Sequence, residues 1–401
     1  MYDVIVVGAR CAGAPVAMLL ARKGYHVLLT DRAHFPSDLA MSTHLIWQSG
    51  VQRLRRWGLL DRIAASNCPP LLDVHLDLGP LSLDGVPTPA NGSAEAYSPR
   101  RVLLDQILVE EAVAAGAELR EGFAVSEVIT EGDRVVGIRG STQGGSQVSE
   151  RARIVVGADG SRSGVAGAVQ AKEYNTRPPL QGTYFTYWSG VPIEGIHLYP
   201  RPQEHCQVYG WRTNDELTLI GVNWSIQDFP EARADIEGRY FAGLDLCAPQ
   251  VAEWVRSGVR AERWIGGAIR NLLRQPVGNG WALVGDAGWT VDPCTAAGIN
   301  NAFRDAELLV QAIDDGLADQ QRLPAALSDY HRRRDEAALP IYEFTCQLAP
   351  LDPPPPEMQQ LFGALASNPA ETNRFFGLFA QTVPVGEFFA PENLARIMGS
   401  G

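Results

Sequence analysis

The chain of 401 residues is short of several features that mark common functional classes. Lysine occurs only twice, as Lys23 and Lys172, and acidic residues outnumber Lys and Arg by 46 to 34, which leaves a net charge of −12. Nucleic-acid binding needs a basic surface, so this balance argues against it. No apolar run is long enough to span a membrane, and a strand pattern beginning at Tyr2 leaves no room for a secretory signal. We therefore expect a cytoplasmic protein that binds neither nucleic acid nor membrane.

Cysteine and histidine are scattered along the chain. The six cysteines form no C-x-x-C pair, which indicates reduced thiols, and the seven histidines show no metal-ligand spacing. No G-x-S-x-G elbow is present either, which argues against a hydrolase of that type. We expect no metal site.

The first thirty-one residues carry the pattern of a dinucleotide-binding βαβ unit. Gly8 permits a tight turn, Gly13 allows close helix packing, and Asp31 is placed to accept hydrogen bonds from an adenosine ribose. The helix N-terminus would attract a pyrophosphate. Arg10 replaces the middle glycine of the fingerprint, and it either touches phosphate or points to solvent. The unit alone does not separate NAD from FAD. It comprises strand 3–7, turn 8–13, helix 14–23, strand 27–29 and the acid at 31.

The remaining chain alternates predicted helices and strands until about residue 178, where strands rich in Tyr and Trp begin. The longest proline-rich stretch, 351–357, indicates a linker to short C-terminal helices. Predicted helices cover 43–60, 102–115, 232–257, 298–314, 325–338, 358–366, 371–381 and 387–398. Predicted strands include 71–83, 118–120, 124–130, 135–139, 146–156, 183–191, 197–200, 206–212, 216–226, 263–271 and 281–284.

Three strand-to-loop junctions combine small residues with an acid, ending in Asp31, Asp159-Gly160 and Gly285-Asp286. Because each follows an apolar strand, the three acids should meet at the edge of a sheet where α/β folds bind ligands. With the segment 292–301 (DPCTAAGINN) behind the last acid, this pattern resembles the FAD-dependent monooxygenase superfamily. Its members include aromatic hydroxylases, flavin halogenases and geranylgeranyl-reductase-like enzymes.

The resemblance implies FAD as the cofactor and assigns residues to it. The turn and Asp31 would hold the ADP half, Arg101 would open the second FAD-contacting helix, and Asp286 would bind the ribityl hydroxyls or the pyrophosphate. The loop from Pro293 would face the isoalloxazine ring, where the N-terminus of the following helix stabilises negative charge on reduced flavin. The complete expected cofactor set is Gly8, Arg10, Cys11, Ala12, Gly13, Asp31, Arg32, Arg101, Asp159, Asp286, Pro293, Gly298, Ile299 and Asn300.

Four residues are candidates for the catalytic region. His44 lies where the family places a segment beside the flavin ring, so it either helps proton movement or is structural. Pro293 belongs to the ring-facing loop. Tyr184 and Trp211 represent the aromatic strands, one face of which could form the wall of a flat substrate pocket. Since side chains alternate along a strand, only one of the sets Tyr184/Trp188 and Phe185/Tyr187 can face that pocket.

The resemblance implies a single-component monooxygenase that hydroxylates an aromatic or polyketide-like molecule with O2 through the flavin C4a-hydroperoxide. Only one dinucleotide fingerprint is present, so NAD(P)H would be a transient visitor. A reductase or dehydrogenase of the geranylgeranyl-reductase-like type is the alternative. A halogenase, which needs a lysine near its substrate, and a non-catalytic flavin-binding protein are further alternatives.

The expected fold is α/β, with a Rossmann-like FAD-binding domain, an inserted antiparallel-sheet substrate domain and C-terminal helices. The protein is expected to be a monomer or a homodimer. The expected divisions are 1–70, 98–172 and 265–335 for the FAD-binding domain, 71–97 and 173–264 for the substrate domain, and 336–401 for the helical segment.

Overall fold

A largely parallel β-sheet contains the N-terminal strand of the computed structural model, which describes residues 1–37, 41–319 and 321–399. The strands are β1 Tyr2–Val7, β2 Val27–Thr30, β3 Val74–Asp77, β4 Ser82–Gly85, β5 Glu118–Arg120, β6 Phe123–Glu131, β7 Arg134–Thr142, β8 Val148–Gly157, β9 Glu173–Arg177, β10 Gln181–Ser189, β11 Ile196–Arg201, β12 Cys206–Arg212, β13 Thr218–Ser225, β14 Val259–Arg260, β15 Ile265–Gly267, β16 Asn271–Arg274, β17 Val277–Gly278, β18 Trp281–Leu283 and β19 Trp289–Thr290. The helices are α1 Gly13–Arg22, α2 Gln48–Trp57, α3 Leu60–Ala64, α4 Arg101–Ala114, α5 Gly164–Ala168, α6 Phe229–Ala234, α7 Ile236–Cys247, α8 Pro249–Ser257, α9 Gly298–Ala318, α10 Leu323–Leu348, α11 Pro356–Ala366, α12 Pro369–Phe379, α13 Val385–Phe388 and α14 Pro391–Gly399.

The first sheet has the order β17-β18-β8-β1-β2-β5, and β18, β8, β1, β2 and β5 run parallel. Its central strand β1 is buried on both faces, as parallel strands covered by helices are. Val4 and Val6 pack with α1, α2, α4 and α9, whereas Ile5 packs with the β6–β7 hairpin and α5. The helices and the hairpin therefore enclose the sheet from opposite sides.

The second sheet has the order β14-β10-β13-β12-β11-β3-β4, and β15 also pairs with β10. All its pairings are antiparallel except that of β11 with β3. One face packs on α6–α8, and the other packs on α10 and the C-terminal helices. A third sheet has the order β19-β16-β9. The predicted α/β architecture with an inserted antiparallel sheet and C-terminal helices is confirmed.

Several predicted elements have different boundaries. The predicted helix 43–60 begins only at Gln48, because His44 has a φ of 46° and Ile46 forms a β-bridge with Tyr97. The predicted strand 71–83 is a hairpin of β3 and β4, and the predicted strand 263–271 is divided between β15 and β16. The predicted helix 232–257 is three helices, since Asp235 and Ala248 adopt extended φ angles.

Helix α10 is ten residues longer at its C-terminal end than the predicted helix 325–338. It continues through Pro340, although proline inside a helix removes a backbone donor. Ala338, Ile341 and Tyr342 are buried against the second hydrophobic core. This packing outweighs the local preference. Among the described residues, no helix combines the length and apolarity needed to cross a membrane.

Gly13 is the tightest helix–sheet contact in the first unit. A Cβ at this position would lie 1.8 Å from the carbonyl oxygen of Gly8 and 3.0 Å from the Cβ of Ala158. We expect Gly13→Ala to lower the free energy of unfolding by about 1–3 kcal/mol, because overpacking forces the backbone apart. Urea unfolding measures this change.

Gly167→Ala is the matched control, since Gly167 is also helical and a Cβ added to it would meet no atom within 4 Å. It should leave stability unchanged or raise it by up to about 1 kcal/mol through helix propensity. Equal losses in the two variants would contradict the packing argument.

Candidate active site

A cavity of about 630 Å³ opens at the carboxyl ends of the parallel strands. This volume lies within the range of about 300–1,000 Å³ that is typical of ligand and cofactor sites. It is lined by thirteen of the predicted site residues: Gly8, Arg10, Cys11, Ala12, Asp31, Arg32, His44, Arg101, Asp159, Asp286, Pro293, Gly298 and Ile299. Gly13 lies beneath the turn, and Asn300, Trp211 and Tyr184 do not line this cavity.

The glycine turn holds three chain segments unusually close together. Gly8 has a φ of +103°, and a Cβ there would lie 2.4 Å from the carbonyl oxygen of Ala158. The Asp31 carboxylate accepts hydrogen bonds from the Ala9 and Ala33 N–H groups, both at 2.8 Å. The turn, the end of β2 and the end of β8 therefore form one rigid edge.

Two helices begin at the cavity wall without a side-chain cap. No side-chain hydrogen bond caps α1 at Ala12 or α9 at Ala297 in the described chain. The first N–H groups of a helix have no intrahelical partner and carry a partial positive charge. Both ends are thus suited to anionic groups of a ligand.

Arg10 lines the cavity, and its guanidinium is held by two neighbouring side chains. Its guanidinium donates to Asp105 Oδ2 at 2.7 Å and to the Ser37 hydroxyl at 2.7 Å. Arg101 donates to the same Asp105 carboxylate at 2.9 and 3.0 Å, and the Cys11 thiol lies 3.4 Å from it. Asp105 is fully buried. The predicted site did not include Asp105, although its spacing of four from Arg101 on a helix was a signal for the pair.

The other two predicted acids have different surroundings. Asp159 accepts hydrogen bonds from the Gly164 and Val165 N–H groups at 2.7 and 3.2 Å, so its carboxylate caps α5 while the residue borders the cavity. Asp286 is open to the cavity but enclosed by protein. This enclosure raises the pKa of its carboxyl, and the charge of Arg101 opposes the rise.

The segment from Asp292 to Gly298 forms the opposite wall. Pro293–Thr295 is a 3-10 helix, Ala296 has a φ of 50°, and a Cβ on Gly298 would meet nothing within 4 Å. The backbone is thus accessible where α9 begins. Asn300 is turned inward instead, since its Oδ1 accepts from the Trp47 N–H at 3.0 Å and its Nδ2 donates to Ser49 Oγ at 2.7 Å.

His44 is buried beside the same wall and is held on both ring nitrogens. Its Nδ1 lies 2.8 Å from the Ser98 hydroxyl oxygen and 3.1 Å from the Ser98 carbonyl oxygen, and its Nε2 lies 2.8 Å from the Tyr187 hydroxyl oxygen. The two rings stack with centroids 5.7 Å apart. Burial, reinforced by the charges of Arg100 and Arg101, lowers the pKa of His44 to about 3. The imidazole is therefore neutral.

A second, smaller pocket of about 20 Å³ adjoins the cavity and shares Thr43, Leu45, Pro293 and Ala296 with it. Its wall includes Trp211, whose indole donates to the Thr43 carbonyl oxygen at 3.3 Å. The full lining is Thr43, Leu45, Trp47, Ile196, Leu198, Gln207, Tyr209, Trp211, Asn223, Pro293, Cys294, Thr295, Ala296 and Phe379. All fourteen side chains are uncharged, and at this volume the pocket has room for little more than one water molecule.

Tyr184 does not reach either cavity. It belongs to the face of the second sheet that packs on α6–α8, where its ring stacks on Phe229 at 5.4 Å. Phe185 and Tyr187 occupy the opposite face, in the core that contains Trp211. Strand alternation thus separates Tyr184 from the pocket for which the sequence suggested it.

Comparison with known proteins identifies the family. The sequence profile described as "FAD binding domain" matches residues 1–228, more than half of the chain. The chain belongs to this FAD-binding family. The family and its flavoenzyme neighbours make this protein an FAD-dependent oxidoreductase.

Three similar proteins illustrate the range of activities. A digeranylgeranylglycerophospholipid reductase of Methanococcoides burtonii is 27% identical over 75% of this chain and 72% of its own. The flavin-dependent brominase Bmp2 has a TM-score of 0.82 at 20% identity over 100% and 98% of the two chains. PqsL of P. aeruginosa, in complex with 2-aminobenzoylacetate, has a TM-score of 0.73 at 22% identity over 94% and 99%. Both solved structures are similar to this chain in fold.

The Asp105 cluster gives the first test of this site. We expect Asp105→Ala to lower the free energy of unfolding by about 3–5 kcal/mol, because it leaves Arg10 and Arg101 without their shared carboxylate in a buried place. Asp245→Ala, which removes the exposed Asp245–Arg256 pair, is the control and should change stability little. Urea unfolding measures both changes, and equal effects of the two Asp variants would contradict the role of Asp105 in holding the two arginines.

Arg10→Gly should still bind FAD, since Arg101 stays hydrogen-bonded to Asp105. The measurement is the amount of flavin bound per chain.

His44 predicts a specific pH dependence of stability. Its pKa in the folded chain is lower than its ordinary 6.5, so the unfolded chain binds more protons and stability falls as the pH drops below about 6.5. At about pH 5 the loss should reach about 2 kcal/mol. His44→Asn removes this loss, and asparagine tolerates the positive φ. The stability difference between the native protein and the variant should therefore shrink by about that amount between about pH 7 and 5. Parallel curves for the two proteins would contradict a neutral, buried His44.

Proposed function

We propose that this FAD-dependent oxidoreductase is a single-component NAD(P)H-dependent monooxygenase that hydroxylates an aromatic or polyketide-like small molecule. The observation that carries the proposal is the uncharged, aromatic pocket directly beyond the wall formed by Pro293 and Ala296. An electron-rich ring placed there would lie next to the position proposed for the flavin. Flat apolar ligands are bound by such walls.

The residues that line the cavity suit the successive parts of FAD. The ADP half would lie at Gly8, Asp31 and the uncapped start of α1, and the isoalloxazine at Pro293 and the start of α9. Arg101 would approach the middle of the molecule, with its guanidinium held in place by Asp105. When bound, FAD supplies the redox chemistry and, in its reduced form, the reaction with O2.

The chain's own groups would then orient and shield the reacting pair. The N–H groups at the start of α9 would stabilise negative charge at the flavin edge. Trp211 and Phe379 would exclude water from the pocket, and their side chains must move apart to admit a substrate, because the present volume is about 20 Å³. His44, neutral at physiological pH and already hydrogen-bonded to Ser98 and Tyr187, would add no charge beside the ring.

The positions of the lysines favour hydroxylation over halogenation. Lys23 directly follows α1 and pairs with Asp314 at 2.6 Å, and Lys172 is exposed after α5. Neither lines the cavity or the adjoining pocket. A halogenase of the resembled superfamily would need a lysine close to its substrate.

The alternative is an FAD-dependent reductase of the geranylgeranyl-reductase-like type. The reductase from Methanococcoides burtonii aligns over most of both chains. An uncharged pocket would accept a prenyl chain or a quinone as well as an aromatic ring. The two functions differ in their need for O2, and this difference decides between them.

The deciding experiment supplies the FAD-loaded protein with NADH or NADPH and a panel of electron-rich aromatic compounds. A monooxygenase consumes NAD(P)H under air and gives a product that carries one oxygen atom from isotopically labelled O2. Addition of two hydrogen atoms to a prenyl or quinone substrate without O2 would contradict the proposal and support the reductase.

Two variants connect the reaction to the pocket. Trp211→Leu should lower kcat/KM roughly tenfold or more, equivalent to about 1.4 kcal/mol, while the FAD content stays unchanged. Trp254→Phe on α8 lies outside both cavities and should keep native kinetics. Unchanged kinetics in Trp211→Leu would contradict the proposal that the substrate binds in this pocket.

A further inference from the structure

Asp292 is a buried acid at the wall of the cavity whose environment differs from that of the other acids. It is 1% exposed, and its backbone N–H donates to Asn271 Oδ1 at 2.7 Å. Its Oδ1 accepts from Gln181 Nε2 at 2.6 Å and from the Cys294 N–H at 3.2 Å. The residue therefore links β10 and the segment that leads to α9 through its side chain, and β16 through its backbone.

Two side-chain oxygens, one on Asp292 and one on Gln181, have no hydrogen-bond partner among the described residues. These atoms, Asp292 Oδ2 and Gln181 Oε1, are both buried. A carboxylate and an amide oxygen can only accept hydrogen bonds, so an ionised Asp292 leaves both unsatisfied. One proton on Oδ2 would turn it into a donor to Oε1, and each side chain would then donate to the other. Buried polar atoms without partners are rare and costly, which favours this arrangement.

We propose that below neutral pH Asp292 is a neutral carboxylic acid, paired with the Gln181 amide through two hydrogen bonds, so that the wall at the flavin ring then carries no negative charge. This makes Asp292 a positioning residue. The pairing itself stands without a cofactor, and only its consequence for the flavin rests on the proposed function.

The neighbouring groups agree with a neutral acid. Burial raises the pKa of Asp292 to about 7, and the hydrogen bonds from Gln181 and Cys294 oppose the rise. The titratable groups that face it are Cys294 on the same segment, Cys346 on α10 and Tyr209 on β12. Burial raises the pKa of each of these three, so none is charged near neutral pH. No salt bridge joins Asp292 to a cation in the described parts of the chain.

The neutral state matters because reduced flavin is negative at the edge that would face the start of α9. An ionised Asp292 at the base of the same segment would oppose that charge and weaken the favourable effect of the helix N-terminus. Deprotonation at higher pH should therefore make FAD harder to reduce, in addition to the ordinary pH dependence of the flavin.

Asp292→Asn tests the proposal, because asparagine reproduces both hydrogen bonds and cannot ionise. The pKa of Asp292 is higher in the folded chain than in the unfolded chain, so the native protein loses stability as pH rises from about 4 to about 7. Relative to the variant, its unfolding equilibrium constant should increase by up to roughly a thousand-fold across this window. A carbonyl-stretch infrared band of a protonated carboxyl should be present in the native protein at about pH 6 and missing in the variant.

Asp133→Asn, at the exposed turn of the β6–β7 hairpin, is the control and should follow the native stability curve. In the FAD-loaded protein, the midpoint potential should fall more steeply above about pH 7 in the native protein than in Asp292→Asn. An Asp292→Asn protein that fails to fold, parallel stability curves, or an unchanged infrared band would each overturn the proposal. Failure of both proteins to bind FAD would instead contradict the proposed function, and the stability and infrared results would still decide the state of Asp292.

Discussion

The close approach of helix α1 to the ends of β1 and β8 is the contact on which the candidate site depends. At Gly8 and Gly13 the backbone passes so near to the Gly8 and Ala158 carbonyl oxygens that no side chain fits. This approach directs the start of α1 into the cavity and brings the Ala9 N–H to the Asp31 carboxylate. A parallel sheet can offer its carboxyl edge to a ligand only where the crossover helices leave that edge open, and here the small residues leave it open.

A second constraint concerns charge. Three acids at or near the cavity are already balanced by the protein: Asp31 by backbone N–H groups, Asp105 by two arginines and Asp159 by the start of α5. Their negative charge is thus largely compensated before any cofactor arrives. The uncapped starts of α1 and α9 remain for the pyrophosphate and for the flavin edge. The neutral His44 and the proposed neutral Asp292 extend this arrangement to the ring end.

The parts of the fold that could be predicted are those in which local pattern and tertiary packing agree. The strand, glycine turn, helix and strand of residues 2–30 follow from apolar periodicity, and the structure has them within one or two residues. The hairpin of β3 and β4 and the long α10 could not be predicted in the same way. In both, contacts with distant segments override the local preference, as at Pro340.

The site residues that could be predicted are those whose residue type is typical of a local feature, such as a turn, a strand end or a helix start. Gly8, Asp31 and Gly298 lie at the cavity because turns, strand ends and helix starts are visible in sequence. Asp105 and Gln181 were missed because their importance arises from pairing across the fold, and Asn300 and Tyr184 point elsewhere because register and helix rotation decide direction.

The most direct measurement is a crystal structure of the FAD-loaded protein. The account predicts the pyrophosphate at the start of α1 and the isoalloxazine ring against Pro293 and Gly298, with its free side toward Trp211. A ring placed near Asp31, or FAD bound outside the 630 Å³ cavity, would contradict it.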